Sequence, residues 1–514
     1  MPDDDDARAG RPAPAGDRLP PAGGSPAAPS GPAPGAEGAA LRGPGGGLVA
    51  AISTAPGQGA LAVVRLSGRG VLAALGRFFR CGRDPSSAPG RLILGRVVSP
   101  GTGALVDRAM GVFFPGPGSF TGEDSAEIHC HGGGVVPGLV LEAALASGAR
   151  LARPGEFTER AFLNGRLSLD QAEAVAEIVA AESEAEAAIA ARALDGALAA
   201  RVAPLSGGLL AAQAGLASVL DFEADWTEGD RGRLLSELAP LETGLAALLD
   251  LRRAGRVFRD GAKVVLAGPP NAGKSSLFNA LLGRRRALVS DVAGTTRDYL
   301  AAPVAWVRVR IELVDTAGLR DGGQDELEAM GIGLALEQMA GADLVLWLRD
   351  LSLPGGGEPP PAAAGPVREG EGEEAVIAPA GPAAASPPPR RPPLLEVWNK
   401  SDLAPGSAVP PPGAVRVSAA TGEGLDGLRR AVLERLGAEG PRLPEIVPNI
   451  RQERALADAL DALRRARASL EGGEVPEIAG ILLKEARDSL DLVTGRTMTE
   501  DLLAEVFSRF CLGK

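Results

Sequence analysis

Val264-Val265-Leu266-Ala267-Gly268-Pro269-Pro270-Asn271-Ala272-Gly273-Lys274-Ser275 joins an apolar run to the pattern G-x-x-x-x-G-K-S, and Ser276–Leu282 continues it as an amphipathic helical stretch. Strand, glycine-rich turn and helix in that order make a phosphate-binding loop. The glycines let backbone N–H groups curl round a phosphate, a lysine adds a point charge, and a serine hydroxyl helps hold Mg²⁺. Lys274 and Ser275 take those two places, with Asn271, Ala272, Gly273 and Ser276 completing the loop. An ordinary glycine-rich turn is much the weaker reading, because both flanks are correct. The stretch predicts a mostly parallel sheet with flanking helices, built to bind a nucleoside triphosphate.

The base is specified further along. Leu394-Leu395-Glu396-Val397-Trp398 reads as a buried strand and delivers Asn399-Lys400-Ser401-Asp402, an N-K-x-D box. A carboxylate at Asp402 accepts two hydrogen bonds from guanine, and adenine would leave it unpaired, which is an effective way to reject a ligand. Ser418-Ala419 follows a second short strand, Ala414–Val417, and suits a loop whose backbone N–H meets the guanine oxygen. Four polar residues after a strand usually make only a turn. In the order P-loop, Asp315-Thr316-Ala317-Gly318, N-K-x-D and Ser418-Ala419, the box points to GTP.

Asp315 ends the strand Ile311–Val314, within reach of a Mg²⁺ shell, and the Gly318 N–H is placed to touch a γ-phosphate. Ras-type GTPases follow that glycine with a glutamine that orients the attacking water. Here Leu319 stands instead, so either hydrolysis is poor or another residue positions the water; Glu328 is the preferred candidate. On residues alone, a solvated helix face is the commoner fate of Asp325-Glu326-Leu327-Glu328. Ser290-Asp291-Val292-Ala293-Gly294-Thr295-Thr296 has the makings of a switch loop, with a threonine hydroxyl for Mg²⁺ and closure over the γ-phosphate.

Composition narrows the class. Only five of the 53 basic residues are lysines (Lys263, Lys274, Lys400, Lys484 and Lys514), and two of these fall in the nucleotide motifs. Where an otherwise arginine-rich chain keeps lysine, a compact ammonium is wanted. The net charge of −12 means that any RNA contact must use local patches such as Arg284-Arg285-Arg286 or Arg464-Arg465. Three cysteines, Cys81, Cys130 and Cys511, are too few for a disulfide framework or a thiolate zinc site. His129, Cys130 and His131 are consecutive on a probable strand, so Cys130 faces away from both histidines and a metal site is rejected. With no apolar run of membrane-spanning length and no signal-peptide order at the acidic N-terminus, a soluble cytoplasmic protein is expected.

Patterning divides the chain. Residues 1–47 are a Pro/Gly/Ala tail expected to be disordered. Residues 48–166 begin with short β runs at Leu48–Ser53, Ala60–Leu66, Arg91–Val98 and Ala109–Phe114. From 167 to 260 the pattern is helical, opened by the capping box Ser168-Leu169-Asp170-Gln171, with one long helix expected to about Ala200. The nucleotide segment spans 261–437 and carries a Pro/Gly/Ala-rich insertion at 351–393, where a parallel sheet needs a crossover. Helices return over 438–514, the last opened by Thr497-Met498-Thr499-Glu500. The predicted fold class is multidomain α/β: a P-loop domain inserted in an all-α helical domain, preceded by an α+β domain.

Other motifs carry a resemblance. Ser119-Phe120-Thr121-Gly122-Glu123-Asp124 leads into Glu127-Ile128-His129-Cys130-His131-Gly132-Gly133, followed by Pro154-Gly155-Glu156-Phe157-Thr158, Arg160–Gly165, Gln171-Ala172-Glu173-Ala174 and a terminal Phe510-Cys511-Leu512-Gly513-Lys514. In this order the chain from about Leu48 onward closely resembles the MnmE (TrmE) family of tRNA modification GTPases. The resemblance implies a folate-binding, dimerising N-terminal domain and a homodimer that joins the FAD-containing MnmG (GidA) in a heterotetramer. That assembly adds an aminomethyl-type group to C5 of the wobble uridine of certain tRNAs, using 5-formyl- or methylene-tetrahydrofolate. By motif, Arg65, Glu127, Arg166 and Lys514 are implied as folate contacts and Cys511 as a residue required for modification. The resemblance also implies GTP hydrolysis by paired G domains across K⁺, with Asn271, Ser290, Val292 and Thr295 as its ligands. Ser275 and Thr296 are then the Mg²⁺ ligands and Glu328 the water-orienting residue.

Each site has a plainer reading. Arg65 alone would be taken as an edge-strand arginine, Glu127 as a solvent-facing strand residue, and Cys511 as a buried thiol at a helix end. Two other functions compete. An Era-type GTP switch docking on ribosomal RNA would append a basic domain after the G domain, whereas the segment after Gly437 is helical and balanced in charge. A one-carbon transferase with a vestigial G domain conflicts with intact nucleotide motifs.

Overall fold

The computed structural model describes residues 47–221, 226–283, 300–316, 336–354, 392–404, 409–438, 443–511 and 513. The switch loop 290–296, Ala317-Gly318-Leu319, Glu328, Lys514, the triplet Arg284-Arg285-Arg286, most of the 351–393 insertion and the tail before residue 47 lie outside them.

Seven strands form the first sheet: β1 (Val49–Ile52), β2 (Leu61–Ser67), β3 (Phe79–Cys81), β4 (Ile93–Val98), β5 (Leu105–Phe114), β6 (Ser125–His131) and β7 (Arg150–Leu151). Their spatial order is β3-β4-β5-β6-β2-β1-β7. Period-2 alternation buries Ala62, Val64 and Leu66 of β2 and Ala126, Ile128 and Cys130 of β6 on one face. Helices α1 (Val71–Phe78) and α2 (Val136–Ala146) cover that face, giving a core that includes Phe78 and Val140. Cys130 is accordingly buried while His131 is exposed, on opposite faces of β6.

Helices α3 (Glu156–Leu163), α4 (Leu169–Ala180), α5 (Glu184–Leu194), α6 (Ala197–Asp221) and α7 (Glu228–Asp260) follow. The Ser168 capping box forms as expected, with Gln171 Oε1 accepting from Ser168 N at 3.0 Å. The single long helix expected after it does not. Ala181 turns to extended backbone, Ser183 caps α5 through the Glu186 N–H, and Gly196 in the left-handed region separates α6. Helix α6 also corrects the expectation of no membrane-length apolar run: Ala197–Leu220 is long and apolar enough by length and composition. Its Leu209, Ala212 and Leu216 instead pack in a helical core shared with Leu238 and Leu245 of α7.

The second sheet is built from β8 (Ala262–Ala267), β9 (Leu300–Trp306), β10 (Val309–Asp315), β11 (Leu344–Asp350), β12 (Leu394–Asn399) and β13 (Val415–Arg416) in the order β13-β12-β11-β8-β10-β9. All neighbouring pairs are parallel except β9 on β10. Near-continuous apolar runs such as Val264–Ala267 fit strands buried on both faces. Helix α8 (Lys274–Leu282) follows β8, and α9 (Leu425–Arg435) follows β13.

The chain then returns to helices α10 (Ile450–Glu471), α11 (Pro476–Thr494) and α12 (Glu500–Ser508). Leu456, Leu463, Leu483 and Leu490 complete the core begun by α6 and α7, so the two helical halves bury each other's apolar stripes around the inserted P-loop sheet. Arg252 is buried between Asp260 at 2.6 Å and Glu453 at 2.9 Å, joining the halves where the chain enters the second sheet. The last helix starts later than expected. Thr499, not Thr497, is its cap, accepting from Leu502 N, because Thr497 is turned back to the Asp488 carbonyl.

Candidate functional site

At the carboxyl ends of β8, β10 and β12 the sheet brings the nucleotide motifs together, the usual position of a ligand in an open α/β sheet. Gly273 caps α8 at φ 90°, and a Cβ there would lie 2.3 Å from Asn399 Nδ2. That contact explains the glycine. The Asn399 amide braces two loops, donating to Ala272 O at 3.0 Å and accepting from Ala419 N at 3.0 Å. Lys274 Nζ folds inside the loop onto the carbonyls of Gly268 (3.0 Å) and Pro269 (2.9 Å), and Ser275 and Ser276 lie on the first turn of α8. Asp315 is fully buried at the end of β10, and the Thr316 hydroxyl donates to Leu266 O at 2.8 Å.

Asn271 and Lys400 both have positive φ, 62° and 65°. For lysine this is an uncommon conformation, and the surrounding structure must hold it. Asp350, directly opposite Asn399 in the β11–β12 register, does so: Lys400 Nζ reaches its Oδ2 at 2.6 Å. Burial alone pushes the Asp350 carboxyl up, but Lys400 and Ser352 outweigh it and hold it below the usual carboxylate range. Asp350 was missed in the sequence; its only signal was an acidic residue closing a strand that is apolar up to Arg349. Asp402 is exposed and accepts from the buried Ser418 hydroxyl at 2.6 Å, while Ser418 Oγ accepts from Thr421 N at 3.1 Å. The Ser418-Ala419 loop thus fixes the direction of the Asp402 carboxylate.

The N-terminal sheet gathers a second set. Arg65 lies in β2, between β1 and β6, so it is not an edge-strand residue. It pairs across the ladder with Glu127, Nε and Nη2 reaching Oε1 at 3.0 and 2.9 Å. Its guanidinium lies 5.8 Å from the Phe120 ring centroid and 5.7 Å from that of Phe157, both in motifs quoted above but given no role there. His129 Nε2 is 3.2 Å from Glu127 Oε2. Arg166 is exposed with its stem beside Gly122, and Asn164 Nδ2 donates to Thr121 O at 2.7 Å. A planar group with an acceptor edge suits this half-buried arginine between two rings.

The chain terminus reaches the same sheet. Gly513 has φ 90°, a Cβ there would lie 2.3 Å from Ile52 O of β1, and Ser53 Oγ donates to Gly513 O at 3.0 Å. Gly155 N donates to Cys511 O, and Phe507 and Phe510 pack on Leu169 and Ala172. Of the three cysteines only Cys511 is exposed; burial pushes the Cys130 thiol up and leaves it inert.

Arginines tie α3 to this sheet. Arg160 is buried and donates to Glu123, Glu156 and the carbonyls of Ser67 and Gly47. Burial alone would raise the Glu156 carboxyl, but hydrogen bonds from Arg150, the Arg153 amide and Arg160 hold it at about 2. A depressed folded-state pKa stabilises above the ordinary value of 4.5 and loses that contribution as pH falls towards 2. Glu156→Gln is therefore expected to cost roughly 3 kcal/mol at pH 7, with the two proteins converging near pH 2. Denaturant midpoints across that range check it; a pH-independent difference would contradict it.

The family model described as the MnmE helical domain matches residues 169–511, and that of the GTP-binding protein TrmE N-terminus matches residues 48–166. The tRNA modification GTPase MnmE of Thermus thermophilus is 42% identical over 462 residues, covering 88% of this chain and 95% of the relative. This chain belongs to the MnmE family. The MnmE of Nitratidesulfovibrio vulgaris is 40% identical over 470 residues, with 88% and 96% covered. Family membership bears out the multidomain α/β fold class. Both arginines of the Arg464-Arg465 patch are ion-paired on the helix surface: Arg464 with Glu242, and Arg465 with Asp461 and Glu485.

Proposed function

We propose that this chain is a GTP-hydrolysing tRNA modification enzyme that, with an FAD-containing partner, adds an aminomethyl-type group to C5 of the wobble uridine, drawing one carbon from a folate. The observation that carries this reading is the docking of the terminal Cys511–Gly513 segment on the sheet that holds Arg65 and Glu127. A thiol-bearing terminus docked on the sheet whose arginine is flanked by aromatic rings suits one-carbon chemistry on a flat heteroaromatic cofactor. Arg65 and Glu127 bind and orient the folate, Arg166 and Lys514 add charge at its rim, and Cys511 is the residue exposed for reaction.

In the G domain the backbone of Asn271–Ser276 cradles the phosphates, Lys274 neutralises their charge, and Asp402 reads guanine. Ser275 and Thr296 would hold Mg²⁺, with Asp315 as a further acidic group for its shell. Leu319 cannot orient water, so Glu328 would position the nucleophile, and Asn271, Ser290, Val292 and Thr295 would hold a K⁺ that supplies positive charge near the phosphates when two G domains of a homodimer pair. Replacing Na⁺ by K⁺ is expected to raise GTP hydrolysis by about tenfold or more, the removal of a single transition-state charge contact typically costing about 10²–10³. The stimulated rate per protomer should rise with protein concentration. Equal rates in the two salts would overturn the cation-bridged mechanism. The proposed location is the cytoplasm.

A further inference from the structure

Two helices cover one face of the N-terminal sheet, and the other carries an unusual row. Arg80 of β3 stands directly opposite Arg96 of β4, and Arg96 directly opposite Arg108 of β5. Their strand neighbours Phe79, Val97 and Ala109 are buried in the core, so the three arginines rise from the far face, and all are exposed. Directly opposed residues have Cβ atoms about 5 Å apart, and like charges there are destabilising. Most arginines along the helical and nucleotide segments answer a carboxylate. Among the described residues, however, no ion pair is made by Arg80, Arg96 or Arg108. Arg80 Nη1 turns to the edge and donates to Gly76 O at 2.7 Å, and the nearby Asp107 carboxylate is taken by His131 Nδ1 at 2.8 Å and the His131 amide at 2.9 Å.

We infer that this row grips the phosphate backbone of tRNA. In a chain of net charge −12 a polyanion must be met by a local patch, and an anion bound across this row would offset the repulsion between its like charges. The row crosses three strands; Arg80 alone also lines the cleft walled by Arg83–Ser86 at the sheet edge, so the three arginines do not converge on one cup for a mononucleotide. It carries no aromatic ring, which fits contact with backbone and not with stacked bases. Nothing local in the chain signals it, because the three arginines lie 12 to 28 positions apart and only the strand register aligns them. The inference rests on tRNA being the substrate, and the test separates the two.

Binding of a tRNA transcript to the full-length protein is measured between about 50 and 200 mM KCl. The triple variant Arg80→Gln/Arg96→Gln/Arg108→Gln should lower the slope of log affinity against log salt by about 2–3, one per lost phosphate contact. At the lowest salt, binding should weaken by about tenfold or more, while GTP hydrolysis without tRNA is unchanged and the Lys triple variant restores the slope. Unchanged slope and affinity would overturn the row's role. Failure of the wild-type protein to bind tRNA would remove the substrate reading itself, and the row's role with it. Dissociation of the variant into protomers with tRNA affinity intact would also overturn it, making this face a protein–protein surface.

Discussion

Asp402→Asn is expected to move nucleotide preference from GTP to xanthosine triphosphate. The carboxylate presents only acceptors, and the Ser418 hydroxyl at 2.6 Å holds it in one direction. Guanine offers it two donors. With an amide in its place one acceptor becomes a donor, which opposes the guanine amine and suits the xanthine carbonyl. Losing one charge-assisted bond and opposing another costs roughly 3–4 kcal/mol, or about a few hundredfold in GTP affinity. Asn399 is untouched, so the Ala272 and Ala419 loops stay braced and XTP should recover most of the lost affinity. Titration of labelled GTP and XTP against the variant checks this, and GTP binding at the wild-type level would show that Asp402 does not read the base.

Gly513→Val is expected to separate GTP hydrolysis from tRNA modification. At φ 90° a β-branched residue is strained by about 1–3 kcal/mol, and its Cβ would stand 2.3 Å from Ile52 O. Ile52 cannot yield, since it is paired with Val64 in the β1–β2 ladder. The terminal segment must then leave the sheet, breaking the Ser53–Gly513 hydrogen bond and the contact of the Cys511 carbonyl with the Gly155 amide. The nucleotide loops come entirely from the inserted sheet and keep their geometry. GTP turnover should remain within about twofold of wild type, as for a change remote from the site, while modification falls to background. Parallel loss of both activities would show instead that the substitution unfolds the protein.

These two sites were legible to different degrees. The strand, loop and helix around Gly268–Ser275 were readable because backbone chemistry demands those residues in that order, and the P-loop sheet follows from them. Arg65 and Glu127 were named from motifs alone; their pairing depends on the β2–β6 register, which no local pattern encodes. Phe120 and Phe157 stand in the quoted motifs, but their contact with Arg65 was hidden for the same reason, since each is contributed by a segment remote from it. Helix breaks at Ala181 and Gly196 were overlooked because an Ala/Glu/Leu run keeps its helical period across both. The terminal cap was misplaced to Thr497 because two threonines two residues apart both precede acids, and only tertiary packing chose Thr499. Composition required a local basic patch for any RNA contact and offered Arg284-Arg285-Arg286, outside the described residues, and Arg464-Arg465, whose charges are paired with carboxylates on the helix surface.

The central claim, that GTP hydrolysis in one part of this chain serves wobble-uridine chemistry at another, is tested most directly by nucleoside analysis of tRNA. The cells compared would lack the gene, carry the wild-type gene, or carry Gly513→Val as the sole copy. The account predicts that the C5 side group of the wobble uridine is absent without the gene, present with wild type, and absent with Gly513→Val although the purified variant still hydrolyses GTP. A full level of the modified nucleoside in cells lacking the gene would contradict it.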